Sequence, residues 1–132
     1  MTESPLLLET ERHGYAVLTL NRPEKRNPLS EDMIAALMNA FARIETRKDI
    51  RAVILAAKGS VFSAGHDLKE MSAHRQDSDR GRAYFEEILS RCAALMQKIM
   101  MMPQPVIAAV EGVATAAGCQ LVASCDLAVA GE

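Results

Sequence analysis

Two segments of this sequence bring small residues and glycine to the ends of apolar runs, where backbone amides can come close to a ligand. The first is Gly59 to Met71, GSVFSAGHDLKEM, and the second is Glu111 to Gln120, EGVATAAGCQ. Each follows a run that reads as a buried strand, the position where α/β proteins place ligand loops. Gly65 and its small neighbours permit close backbone approach. A helix is expected to begin within residues 112–118, and free N–H groups at a helix start favour developing negative charge. Two such loops after two parallel strands can each aim one amide at a single oxygen. Spacing alone is equally compatible with two tight strand-to-helix turns, and no G-x-x-x-x-G-K-[ST] or G-x-G-x-x-G is present to point to a nucleotide.

Other residues with chemical potential are few. His66 lies inside the first segment, while His13 and His74 sit in polar surroundings and read as surface residues. No His/Asp/Glu cluster suggests a metal. Cys92, Cys119 and Cys125 are odd in number, form no C-x-x-C and lie among small apolar residues, so they read as buried free thiols rather than a disulfide framework or a zinc site.

The elements that must position these loops are legible as apolar runs. Tyr15 to Leu20 reads as a strand, stopped by Asn21-Arg22-Pro23, because proline cannot donate to a ladder. Ser30 suits an N-cap and Glu31 and Asp32 suit the positive end of a helix dipole. Met33, Ile34, Leu37, Met38, Phe41 and Ile44 then follow helical spacing. Ala52 to Ala57 reads as a strand covered on both faces, as in a parallel sheet. A second helix is expected to place Phe85, Ile88, Leu89, Cys92, Leu95, Met96, Ile99 and Met100 on one face, ending at Pro103 and Pro105. Val106 to Val110 and Asp126 to Ala130 complete the strands. The alternation predicts an α/β fold with right-handed crossovers.

Composition narrows the function classes. At 132 residues the prior is one domain, 1–132, and 49% hydrophobic residues suffice for a core. A net charge of −2 with scattered basic residues argues against nucleic-acid binding. No apolar run reaches the ~20 residues of a membrane span, and MTESPLLLETER lacks the pattern of a signal peptide. The expectation is a cytoplasmic protein, with an organelle matrix also open.

Three segments, NRPEKRNPLS (Asn21 to Ser30), SVFSAGHDLKEM (Ser60 to Met71) and PVIAAVEGVATAAGCQLVASCDLAVA (Pro105 to Ala130), appear in the order and spacing of crotonase signatures. The chain thus resembles the N-terminal portion of the crotonase (enoyl-CoA hydratase/isomerase) superfamily, closest in pattern to enoyl-CoA hydratase domain-containing relatives. The resemblance implies a ββα spiral core, cut short before the C-terminal part and the trimerisation helices. It implies an acyl-CoA thioester as partner and homo-oligomers, trimeric or hexameric, in complete relatives. It implies no separate cofactor, since the CoA moiety enters with the substrate. By position, the oxyanion donors are the backbone N–H groups of His66 and Ala117, with the His66 imidazole peripheral. Ala64, Asp67 and Leu68 match the adenine-contacting segment. Lys25 and Arg26 stand where charges approach CoA phosphates, an ordinary solvated turn being the other reading.

Two departures bear on activity. Gln120 occupies the position of a catalytic glutamate, and an amide cannot act as a general base. The second catalytic position of the hydratases would lie beyond Glu132. Ala117 also replaces a common glycine. The resemblance therefore leaves open an acyl-CoA enzyme of hydratase/isomerase type, a non-catalytic acyl-CoA-binding or regulatory relative, and a structural assembly module. The exposed apolar character of the final strand adds the expectation that residues 1–132 alone are not a self-sufficient monomer.

Overall fold

The computed structural model describes residues 4–132, and the chain alternates strands and helices throughout. The strands are β1 (Leu7–Arg12), β2 (Tyr15–Leu20), β3 (Ala52–Ala57), β4 (Val61–Ser63), β5 (Val106–Val110), β6 (Val113–Ala114) and β7 (Leu127–Ala130). The α-helices are α1 (Glu31–Ile44), α2 (Leu68–Ala73), α3 (Arg82–Met101) and α4 (Ala117–Ser124). The main sheet has the order β1-β2-β3-β5-β7; β1 runs antiparallel to β2, and every other pairing in it is parallel.

Helix α1 begins as the sequence requires. The Ser30 hydroxyl accepts from the Met33 N–H at 3.1 Å, a cap that contributes about 1 kcal/mol. Met33, Ile34, Leu37, Phe41 and Ile44 then turn inward with Ala40, onto Leu18, Leu20, Val53 and Leu55 of the sheet. Each such side chain contributes about 1.5–3 kcal/mol by leaving water. The far end of α1 is fastened by Gln104, whose buried amide donates to the carbonyls of Ile44 (2.8 Å), Arg47 (3.1 Å) and Ile50 (3.2 Å).

Three expectations need correction. Leu89 and Met100 are 53% and 66% exposed, because the inward face of α3 is carried by Tyr84, Ile88, Cys92, Leu95, Met96 and Ile99. The cysteines are not uniformly buried: Cys92 is, Cys125 is half-buried, and Cys119 is exposed on α4. Burial pushes the Cys92 thiol up, and the Cys125 thiol up to about 11, where Asp126 adds to the effect. His74 is half-buried rather than free on the surface, its ring stacked on Tyr84 with centroids 3.7 Å apart. The edge strand β7 is exposed along its whole length, with Leu127 at 63% and Val129 at 65%.

Helix α3 starts after Gly81, which is in a left-handed conformation and has no side chain with which to cap it. Asp79 supplies the missing acceptor, its carboxylate taking the N–H groups of Gly81 (2.9 Å) and Ala83 (3.0 Å). The bonds from Ala83 and Gly81 hold the Asp79 carboxyl below its ordinary value. A depressed carboxyl contributes stability above the unfolded-state value of about 4 and loses it as the pH falls through the lower folded-state value. Asp79→Ala should therefore lower the urea midpoint at pH 7, and the gap to the parent should close as the pH is taken toward 3.

Candidate functional site

The two small-residue segments follow β3 and β5 of the main sheet, as expected, and each opens with a short strand of a second sheet. In that sheet β4 pairs in parallel with β6 through Val61↔Val113 and Ser63↔Ala114. These strands are three and two residues long, and their pairing sets the two loops side by side. The Thr115 N–H extends it, donating to the Ser63 carbonyl at 3.1 Å.

Two buried polar side chains hold the first loop from beneath. Asn27 is fully buried in a left-handed conformation, φ 49°. Its amide donates to the carbonyls of Lys58 and Val61, each at 2.9 Å, and its Oδ1 accepts from the Arg22 N–H at 2.7 Å. Ser63, also fully buried, donates its hydroxyl to the Asn27 carbonyl at 2.8 Å and accepts from the Gly65 N–H at 3.2 Å. The Gly65 carbonyl accepts from Leu29 at 2.7 Å. The Ser63 bonds are buried and the Asn27 side-chain bonds partly so; leaving a buried partner unpaired costs about 1–3 kcal/mol. Neither Asn27 nor Ser63 is singled out by sequence pattern, although both sit within the signature segments.

The second loop is a tight turn. Ala116 has φ 52° and ψ −128°, and Gly118 donates back to Thr115 at 2.8 Å, the geometry of a type II′ turn. That conformation suits glycine at its first central position and strains alanine by about 1–3 kcal/mol. The central peptide of the turn carries the Ala117 N–H. The loops meet at Gly65, φ 93°: a Cβ built there would lie 3.1 Å from the Ala117 nitrogen and 3.1 Å from the Ala116 methyl. His66 directly follows Gly65, so its backbone nitrogen lies near that of Ala117. Among the described residues neither N–H has a protein acceptor. Ala117 is buried, at 7% exposure.

Lys25, Arg26, Ala64, His66, Asp67 and Leu68, the six candidate positions of the first two signatures, all line one cleft of about 440 Å³, together with Pro28 and Lys69. The side chains differ in standing. Lys25 and Arg26 are exposed, with Arg26 in a left-handed turn (φ 65°). Leu68 is 73% exposed, so the cleft has an apolar lip open to solvent. Asp67 turns its carboxylate away to cap α2, accepting from Lys69 and Glu70 at 3.1 Å. The Nδ1 of His66 is buried without a protein partner. Lys69 is a third cation of the cleft, readable in hindsight from its place in HDLKEM. Gln120 lies one turn along α4 from Ala117, on the same side, and its side chain is exposed. Among the described residues no group of three or more His, Cys, Asp or Glu can hold a metal, and no helix is long and apolar enough to cross a membrane.

A family profile described as enoyl-CoA hydratase/isomerase matches residues 10–132. Enoyl-CoA hydratase domain-containing protein 3, mitochondrial, of Xenopus laevis is 43% identical over 132 residues, which is 100% of this chain and 43% of that protein. The human protein of the same name is 44% identical over 119 residues, 90% of this chain and 38% of the relative. Among solved structures, an enoyl-CoA hydratase of Mycobacterium smegmatis superposes with a TM-score of 0.87 at 52% identity, over 96% of this chain and 48% of the other. Human enoyl-CoA hydratase domain-containing protein 3 does so with 0.86 at 41% identity, again over 96% and 48%. The chain thus spans about half the length of the relatives it matches.

The junction of the loops responds in opposite senses to two small changes. Ala116→Gly should raise stability by about 1 kcal/mol, the relieved strain exceeding the entropic cost of glycine. Gly118→Ala should lower it by about 1–3 kcal/mol or more, because the new Cβ would sit 2.3 Å from the Ser63 carbonyl oxygen. Chemical denaturation of the two variants beside the parent checks both signs.

Proposed function

As this chain belongs to the enoyl-CoA hydratase/isomerase family, its matched part being the N-terminal portion of the crotonase fold, we propose that it binds an acyl-CoA thioester through a backbone oxyanion hole. The observation that supports the reading is the close approach of Gly65 to Ala117, with neither the His66 nor the Ala117 N–H given a protein acceptor among the described residues. Two fixed donors suit the oxygen of a thioester as it takes up enolate charge, and each such donor contributes about 3 kcal/mol when it needs no reorganisation. The His66 imidazole is not required for this role.

The cleft that His66 lines, which Ala117 does not, suits the same ligand. Lys25, Arg26 and Lys69 stand around its rim and can pair with phosphate oxygens, most effectively at low salt. Ala64 and Leu68 offer small and apolar surface to a flat base. Asp67 holds the helix start that shapes this wall, which makes its part structural as much as recognitive.

Gln120 favours a second reading, in which the protein binds the thioester without hydrating it. Hydration takes a proton from water and delivers one to carbon, and oxyanion donors perform neither transfer. A carboxamide beside Ala117 can orient water or a carbonyl but cannot exchange the proton.

Calorimetric titration with a non-reactive acyl-CoA analogue tests the binding. The parent should bind, and Gly65→Val should weaken binding at least about tenfold, since a side chain at φ 93° strains the backbone and fills the approach to Ala117. Absence of binding by the folded parent would sink the proposal. Steady-state hydration of crotonyl-CoA separates the two readings. In a chain that includes the second catalytic carboxylate, the parent should be slow, and Gln120→Glu should raise the rate by about 10²-fold with little change in analogue affinity. A parent turning over at about 10 s⁻¹ would show that the proton is carried by another residue.

A further inference from the structure

Helix α2 forms one wall of the cleft, yet little in its packing explains why it stays there. It is six residues long and buries none of them; Met71 alone rests part of its side chain on the core. A single turn and a half is far below the length at which a helix holds its own shape. What reaches from α2 to the body of the protein is Glu70. One of its carboxylate oxygens accepts from the Glu31 N–H at 3.0 Å and from the Tyr84 hydroxyl at 2.9 Å. The first bond sits at the N-terminus of α1, where a carboxylate also meets the favourable end of the helix dipole. The second reaches α3, where the Tyr84 ring is stacked on His74 from the other end of α2. Burial and the adjoining Glu70 push the Tyr84 phenol well above its ordinary value, so it remains a donor.

We propose that Glu70 is a positioning residue: its shared acceptor oxygen latches α2 to α1 and α3, and so holds the Asp67–Leu68 wall in the place where it can meet a bound ligand. The latch touches neither the His66 nor the Ala117 N–H, so it governs how well the cleft holds its ligand rather than how the anion is stabilised. The inference rests on the acyl-CoA reading for the ligand, but the latch itself is a property of the free chain.

Hydrogen exchange of the ligand-free chain is therefore the first readout. Glu70→Ala and Tyr84→Phe, the latter keeping the ring and its stack, should each raise exchange at residues 67–71 about tenfold while residues 37–44 exchange as in the parent. Glu70→Gln, whose amide oxygen still accepts both bonds, should stay within about threefold of the parent. Titration with the non-reactive acyl-CoA analogue is the second readout: the two disruptive variants should bind about three- to tenfold more weakly, with Glu70→Gln restoring most of the loss. Unchanged exchange at 67–71 in both disruptive variants, or an equal rise along the whole chain, overturns the latch. Unchanged analogue affinity in variants whose wall has loosened overturns its role in binding. A parent that does not bind the analogue, with the exchange pattern as expected, overturns the acyl-CoA reading and leaves the latch standing.

Discussion

The carbonyl oxygen of Ser63 is the point about which the candidate site is arranged. It accepts the Thr115 N–H at 3.1 Å and lies so close to Gly118 that a Cβ there would approach within 2.3 Å. One atom thus joins the two loops and dictates the residue type at the start of α4. The Ser63 hydroxyl binds the same residue to Asn27 and Gly65, and Asn27 in turn carries the turn at Arg22 and the carbonyls of Lys58 and Val61. These groups satisfy one another directly, so loss of a buried partner such as the Ser63 hydroxyl leaves a dipole unpaired. The pairing fixes where Gly65 and Ala117 meet, and through them where the two free N–H groups emerge.

Against this rigid base the turn at Ala116 holds strain. A non-glycine residue at φ 52°, ψ −128° persists only when its surroundings over-determine it. Here they do: the Gly118-to-Thr115 bond closes the turn and the Thr115-to-Ser63 bond anchors it.

Much of the frame is legible in the sequence because it is written in long periodic runs. The stripe from Met33 to Ile44 and the apolar runs at 15–20, 52–57 and 106–110 all become the elements they suggest. What escapes is short or polar. LLETER buries only Leu7 fully and turns four charged or polar residues to solvent, so β1 carries no alternation to detect. β4 and β6 are too short for any period, and α2 has no apolar face. Leu89 and Met100 are misassigned because α3 is long enough for a broad apolar stripe to wrap beyond the core. In the site, His66, Ala117 and the cleft residues from Lys25 to Leu68 are reached through motif position. The approach of Gly65 to Ala117 is not, since no spacing rule links residues from different strands; nor is Asn27, whose importance lies in three bonds that only the folded chain makes.

The small β4–β6 sheet also carries an entropic meaning. Its partners Val61 and Val113 are separated by the whole of α2, α3 and β5, nearly the span that the β3–β5 pair also closes. Loop closure is an entropic cost that later contacts must offset, and two strands of three and two residues offset little alone. The β1–β2 hairpin and the β2–β3 pair, by contrast, join neighbours in sequence. Because β4 follows β3 and β6 follows β5, the β3–β5 pairing of the main sheet already brings Val61 and Val113 near one another, and the meeting of Gly65 with Ala117 depends on that frame. The meeting of the two loops is in that sense a report on a completed frame.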